Sequence, residues 1–190
     1  DAFLNSPRHC PDQWVIDFAD WPLDSSTAPI NYYGPVAADY PECLAIAEQR
    51  AKPERLAKSD EVSKAPWWRF WRIRADLRKA LVGKEKIIFH PFTSKYLSFA
   101  FVPCNMIYAS PHIIILLEGH EHFAILQSSI HEAWAFRYCS THETRLRYAP
   151  SDILENFPFP TSFPSDFGDI NTRAVGELYS DYRSKLMIAN

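Results

Sequence analysis

Between Lys86 and Leu117 the apolar residues stop recurring at every third or fourth position and gather into three β-rich runs. These are Lys86-Ile87-Ile88-Phe89-His90, Leu97-Ser98-Phe99-Ala100-Phe101-Val102 and His112-Ile113-Ile114-Ile115-Leu116-Leu117, with Pro91 and Pro103 as punctuation. Proline has no N–H to give a ladder, so it confines each run. The second run alternates, which predicts a strand with one face open to solvent or ligand. The third is continuously apolar, which predicts the central strand. Helical spacing flanks all three, so the expected fold is α+β: a small twisted, mostly antiparallel sheet flanked by helices.

A first helix is expected from about Asp39, with Pro41 in its first turn and Cys43-Leu44-Ala45-Ile46-Ala47 inside it. Pro53 should kink or interrupt it, and Ser59-Asp60-Glu61 reads as a loop. A second helix should start near Pro66 and stop at Gly83, with Phe70, Ile73, Leu77 and Leu81 as its apolar stripe. Trp67, Trp68 and Trp71 read as core anchors at its N-terminal end. A third helix is expected from Glu121 to Cys139, with Ile125, Leu126, Ile130 and Trp134 inward. After a Pro- and Phe-rich stretch over 149–170, a last helix from Ile170 to Ile188 carries Val175, Leu178, Tyr179, Tyr182 and Leu186 on one stripe. Residues 1–36 are rich in Pro, Asp and aromatics, with one strand-like run at Trp14-Val15-Ile16-Asp17-Phe18, and read as a connector laid over a neighbouring surface. The expected division is 1–36, 37–165 and 166–190.

With 190 residues, 47% of them hydrophobic, the chain can bury one sizeable core, or one core with a packed satellite. No apolar run approaches the roughly 20 residues that span a bilayer. The start, Asp1-Ala2-Phe3-Leu4, has neither an initiating Met nor a signal-peptide pattern, which points to an excised segment of a cytoplasmic protein. Cys10, Cys43, Cys104 and Cys139 are scattered, supporting buried thiols rather than a zinc ribbon or disulfide framework.

The net charge of −3 conceals an asymmetry. Residues 1–49 hold one basic side chain, Arg8, against eight acidic ones; residues 50–86 hold twelve basic against five acidic. A central segment at +7 between acidic flanks is how a localised phosphate-binding surface looks, and equally how a solvated basic face looks. Within it, Arg69, Arg72, Arg78 and Lys79 are the candidate phosphate contacts.

Catalytic patterns are sparse. Five glycines build neither a G-x-G-x-x-G nor a Walker A loop, and there is no G-x-S-x-G elbow. The N-P-P-Y or D-P-P-Y sequence with which an amino-methyltransferase holds a flipped base is absent, so the chain lacks the parts to methylate by itself. A rival reading is a metal-dependent enzyme on His120, His122 and His131, with Glu121 and Glu132 beside them, although their spacing matches no compact ligand motif. Ser128 or Ser129 with His131 makes a weak nucleophile pair, since such neighbours on a helix do not face one another.

The run His122-Phe123-Ala124-Ile125-Leu126-Gln127-Ser128-Ser129-Ile130-His131-Glu132-Ala133-Trp134 is followed by Arg145-Leu146-Arg147-Tyr148 and then Glu155-Asn156-Phe157-Pro158-Phe159-Pro160. This order resembles the target-recognition region of type IIG/IIL restriction–modification enzymes and related adenine-specific DNA methyltransferases. Those proteins carry H-F-G-I-L-S-S-x-x-H-x-x-W, then R-Y-S/T, then F-P-F/W-P. Here Ala124 replaces the usual Gly and Gln127 precedes Ser128. Asn5-Ser6-Pro7-Arg8, Trp14–Phe18 and Trp67-Trp68 with the Arg-rich stretch after them also fit the family pattern, so the resemblance covers most of the chain.

The resemblance implies a bacterial parent that methylates the exocyclic amine of adenine with S-adenosylmethionine, with or without a fused nuclease. This chain would hold no cofactor of its own; its partners would be double-stranded DNA and the methyltransferase domain of the same parent. The candidate base-reading edge is Thr93, Ser94, Lys95, Tyr96 and Ser98, between two strands, where Lys95 would donate to guanine O6 or N7. The bland alternative is a mere hairpin connection. Ser128 and Ser129, with His131, would contact phosphate or brace the helix start. Arg145 and Arg147 would contact phosphate, or pair with Glu132 or Glu143. A third reading, a protein-interaction module, predicts no DNA binding at low salt.

Overall fold

Four aromatic residues of the first eighty positions, Phe18, Trp21, Trp67 and Trp68, share one core. The computed structural model describes residues 13–108, 110–142, 145–161, 163 and 170–189; the features expected at Asn5-Ser6-Pro7-Arg8, Cys10 and Glu143 lie outside them. Contacts divide the chain into two units, and residues 13–79 make up the first. Phe18, Ala37 and Ala47 are its buried centre, with Trp21, Leu23, Cys43, Leu44, Trp67 and Trp68 packed around them. The Trp67 and Trp68 rings meet edge to face at 5.8 Å, and the Trp68 indole donates to the Trp21 carbonyl at 3.0 Å. The expectation of tryptophan core anchors therefore holds for Trp67 and Trp68, while Trp71 is 45% exposed.

Helix α1, Pro41–Leu56, begins with Pro41 where a missing N–H costs nothing, and it continues through Pro53 instead of breaking there. Pro53 is only three residues from the helix end, so a single late bond is lost. The loop expected at Ser59-Asp60-Glu61 contains one helical turn, α2 (Asp60–Ser63), closed by Ser63 N–H donating to the Ser59 carbonyl at 2.9 Å.

The long helix expected from Pro66 to Gly83 is reduced to α3, Ala75–Leu81. Residues 66–74 are irregular, with a turn at Trp67-Trp68, and Arg74 at φ 50° takes a left-handed conformation that a helix cannot pass through. Burying two adjacent indoles needs the chain to turn between them, and this outweighs the helical spacing. Gly83 does mark the stop, at φ 79°. The Trp14–Phe18 run forms no strand; Asp17 Oδ1 accepts from Ala19 N–H at 3.0 Å and Trp21 N–H donates to the Phe18 carbonyl, so the chain turns at once.

The second unit begins at Ala80 and is α+β. β1 (Lys86–Pro91) is hydrogen-bonded on both sides, antiparallel to β3 (Ala100–Pro103) and to β4 (His112–Ile115), with β2 (Thr93–Ser94) lying between in sequence. Ile88 faces Phe101 on one side and Ile115 on the other. The central strand is thus β1, buried along almost its whole length, and the run at 112–117 that sequence makes central is an edge. Its Ile113 and Ile115 point into the core while His112 and Leu116 are exposed. A second three-stranded sheet, in the order β2, β6 (Arg145–Arg147), β5 (Ser140–His142), takes the remaining strands. Phe92 ties the two sheets: its N–H donates to the Pro111 carbonyl and its carbonyl accepts from Tyr148 N–H at 2.8 Å.

The helix expected over Glu121–Cys139 is two helices, α4 (His120–Leu126) and α5 (Ser129–Tyr138). Two side chains make the break. Ser128 caps α5, its hydroxyl accepting from His131 N–H at 3.2 Å. Gln127 leaves the helix to pair with a strand-like segment: its Oε1 accepts from Phe99 N–H at 2.9 Å and its Nε2 donates to the Leu97 carbonyl at 3.0 Å.

α6 (Ile170–Ala189) packs on α4. Of the expected stripe, Val175, Leu178, Tyr182 and Leu186 are exposed, while the ring of Tyr179 meets that of Phe123 on α4 at 6.1 Å. Gly176 also lies against α4, at a place where an added Cβ would lie 2.0 Å from the His120 carbonyl oxygen. Cys43, Cys104 and Cys139 are free thiols, half-buried rather than fully buried. No helix among the described residues is long and apolar enough to cross a membrane.

Candidate nucleic-acid interface

The two-residue strand β2 pairs antiparallel with β6, setting Thr93 opposite Arg147 and Ser94 opposite Leu146. Along β6 the side chains alternate, with Leu146 buried between exposed Arg145 and Arg147. Two sets of candidate residues about fifty positions apart are therefore neighbours on one small sheet. The Arg147 guanidinium lies over the Phe92 ring at 5.2 Å. Among the described residues neither arginine forms an ion pair, with Glu132 or with any other carboxylate.

Beyond β2 the chain turns sharply, the Ser94 hydroxyl donating to the Tyr96 carbonyl at 2.7 Å. Lys95 and Tyr96 form the exposed tip, with the ammonium 5.0 Å from the Tyr96 ring. The Tyr96 side chain raises the Lys95 pKa, first by hydrogen bonding and then through its charge, so the amine stays cationic. The tip presents a cation, a phenol and hydroxyls: donors and acceptors suited to base edges.

Ser98 differs from the other tip residues. Its carbonyl accepts from the His90 imidazole at 2.9 Å, and its hydroxyl accepts from the Arg183 guanidinium, which also donates to the Phe99 carbonyl. Ser98 anchors the tip to β1 and α6. Nothing local in the sequence marks Arg183 and His90 as partners of this segment, because each meets it from many positions away.

The basic residues before Ala80 belong to the first unit. Arg78 is committed, with an ion pair to Asp17 at 2.8 Å and Nε donating to the Ile73 carbonyl at 2.7 Å. Arg69 donates to the Asp20 carbonyl at 2.9 Å and lies against the Trp68 ring. Arg72 stacks on Trp71 at 4.7 Å; it and Lys79 are exposed and make no ion pair among the described residues.

The residues that carry the sequence resemblance meet in the core of the second unit. Because a carbonyl only accepts, His131 Nδ1 carries the proton donated to the Leu126 carbonyl at 2.6 Å. Nε2 then accepts from the Tyr148 hydroxyl at 3.0 Å. Phe157 packs against His131 at 4.7 Å and against Trp134 at 5.8 Å, and the Trp134 indole donates to the Ile153 carbonyl. Burial depresses the His131 pKa and pushes that of His90 down to about 4. Ser128 and His131 hydrogen-bond within the helix start, and Ser129 is exposed.

His120, His122 and His131 do not converge. Among the described residues no three His, Cys, Asp or Glu side chains are grouped to hold a metal ion. Both ring nitrogens of His131 are used internally, and His120 lies between Lys86 at 3.1 Å and Glu177 at 3.6 Å. Burial, then Lys86, holds the His120 pKa down.

A family model described as the target recognition domain of MmeI matches residues 42–161. Among solved structures, one described as the Type IIL restriction–modification enzyme MmeI in complex with DNA matches at 20% sequence identity with a TM-score of 0.56. The match covers 76% of this chain and 19% of that chain, and at this identity it is a likeness of fold. No curated protein matches the chain.

Proposed function

The chain belongs to the family of MmeI target recognition domains, and from that membership we propose that it reads the base sequence of duplex DNA for a restriction–modification protein. The observation that carries this reading is the β2–β6 ladder, which sets half-buried Thr93 and Ser94 and the exposed Lys95–Tyr96 tip beside exposed Arg145 and Arg147 on the central strand of one small sheet. Phosphate contacts position a protein on DNA while base contacts specify sequence. We assign the first role to Arg145 and Arg147, with Arg69, Arg72, Lys79 and Ser129 as further contacts, and the second to the tip. Lys95 donates to guanine O6 or N7, and Thr93 and Ser94 meet whichever edge lies opposite.

The parent is a bacterial, cytoplasmic protein in which residues 1–36 connect to a methyltransferase domain that modifies adenine N6 with S-adenosylmethionine. The present chain supplies the reading and no chemistry. The family membership and the DNA-bound state of the solved relative support this. To test it, the methyltransferase domain is rejoined and methylated adenines are mapped over random-sequence DNA, for the natural chain and for Lys95→Ala. Relaxed preference at one position supports the reading. An unchanged target removes Lys95 from it, and absence of duplex binding at low salt removes the reading itself.

A further inference from the structure

A pocket of about 320 Å³ opens in the first unit, lined by Trp67 and Trp68, by fully exposed Trp14, and by Arg50, Arg55 and Arg69. No carboxylate lines it. Arg55 is fixed by Nη2, which donates to the Arg69 carbonyl at 2.7 Å, while its Nη1 is buried without a hydrogen-bond partner among the described residues. Arg69 is fixed in turn on the Asp20 carbonyl. Arg50 is exposed on α1 and makes no ion pair among the described residues. Three guanidinium groups around one apolar hollow repel one another, and a buried N–H donor left unsatisfied is costly. An oxyanion in the hollow relieves the repulsion, because the planar guanidinium fork matches phosphate. The indole walls suit a flat π-system, which stacks on aromatic rings whatever its base identity. The volume lies at the small end of the usual range for small-molecule sites.

The geometry points to a single-nucleotide binding site here, with the phosphate held by Arg50 and Arg55 and the base stacked on tryptophan. The site stands on this pocket alone and does not depend on duplex reading by the β2–β6 ladder. Its ligand comes either free or as an unpaired nucleotide of a DNA strand.

The test titrates the full chain with deoxyadenosine 5′-monophosphate, a short single-stranded oligodeoxynucleotide, inorganic phosphate and deoxyadenosine, followed by indole fluorescence. Trp67→Phe serves to localise the signal. Saturable quenching is expected with the monophosphate or the oligonucleotide, whichever is tighter naming the source, and weaker binding of phosphate or nucleoside alone. Arg50→Ala, a surface change that leaves the fold intact, is expected to weaken binding about tenfold. Phosphate binding as tightly as the nucleotide would overturn the proposal, as would absence of saturable quenching or indifference to Arg50→Ala. Duplex binding measured on the same samples keeps failure here distinct from failure of the sequence-reading role.

Discussion

The Tyr148 hydroxyl donates to His131 Nε2 across 3.0 Å inside the core of the second unit, where both residues are fully buried. Tyr148→Phe leaves that nitrogen buried without its donor, and a stability loss of about 1–3 kcal/mol is expected. The urea midpoint followed by far-UV circular dichroism measures it. A midpoint within error of the natural chain would mean that the bond contributes nothing.

Stability should fall in mild acid. The His90 pKa is pushed by burial from 6.5 to about 4, so between these values the unfolded chain binds a proton that the folded chain refuses. The contribution is complete above pH 6.5 and is lost as pH falls toward 4; it amounts to about 3 kcal/mol. His131 and His120 are depressed too, so they act in the same sense. His90→Asn removes one titration, and its melting temperature should depend less steeply on pH across this window.

Gly176→Ala sets two effects against each other. Helix propensity alone favours alanine by about 1 kcal/mol. The new methyl would meet the His120 carbonyl, which is backbone and cannot swing aside. Overpacking should win, with a net loss of about 1–3 kcal/mol. A raised melting temperature would show that α6 is free to shift away.

Ser128→Ala should cost about 1 kcal/mol through loss of the α5 cap, while Ser129→Ala should leave stability unchanged. Paired thermal melts of the two variants decide this. Equal losses would argue that the hydroxyl at 128 does not act as the cap.

On DNA, Arg145→Ala and Lys95→Ala should behave differently. A lost phosphate contact weakens all sequences alike and lowers the salt slope by about 1. A lost base contact costs about 1–3 kcal/mol on the preferred sequence and relaxes one position. Affinities over a salt series, on preferred and scrambled duplexes, separate the two. The same response from both variants would put them in one role.

Local pattern carried the α+β class, the extent of α6, the start of α1 at Pro41 and the stop at Gly83. Pairing between distant segments was not legible. Nothing in Ile113-Ile114-Ile115 says that β1 takes the centre, because periodicity describes faces and not neighbours. The continuous helix through Gln127 and the long one from Pro66 failed for a related reason: tertiary hydrogen bonds to Leu97 and Phe99, and burial of Trp67 and Trp68, overrode helical spacing. On α6 most of the apolar stripe is exposed, and Tyr179 and Gly176 meet α4. Of the candidate site, Thr93–Tyr96 and Arg145–Arg147 were visible as polar residues, but their adjacency appeared only with the ladder. The motif His131, Trp134, Tyr148, Phe157 was recognised in order, and its members turn out to pack on one another rather than face outward.

The Gln127 amide gives the Lys95–Tyr96 tip a second foothold. One foot stands in the β2–β6 ladder, the other on an amide that imitates a neighbouring strand for Leu97 and Phe99. A span moored so at both ends can exchange its outward side chains without disturbing the hydrophobic interior below. New lettering at those positions would then cost the scaffold little.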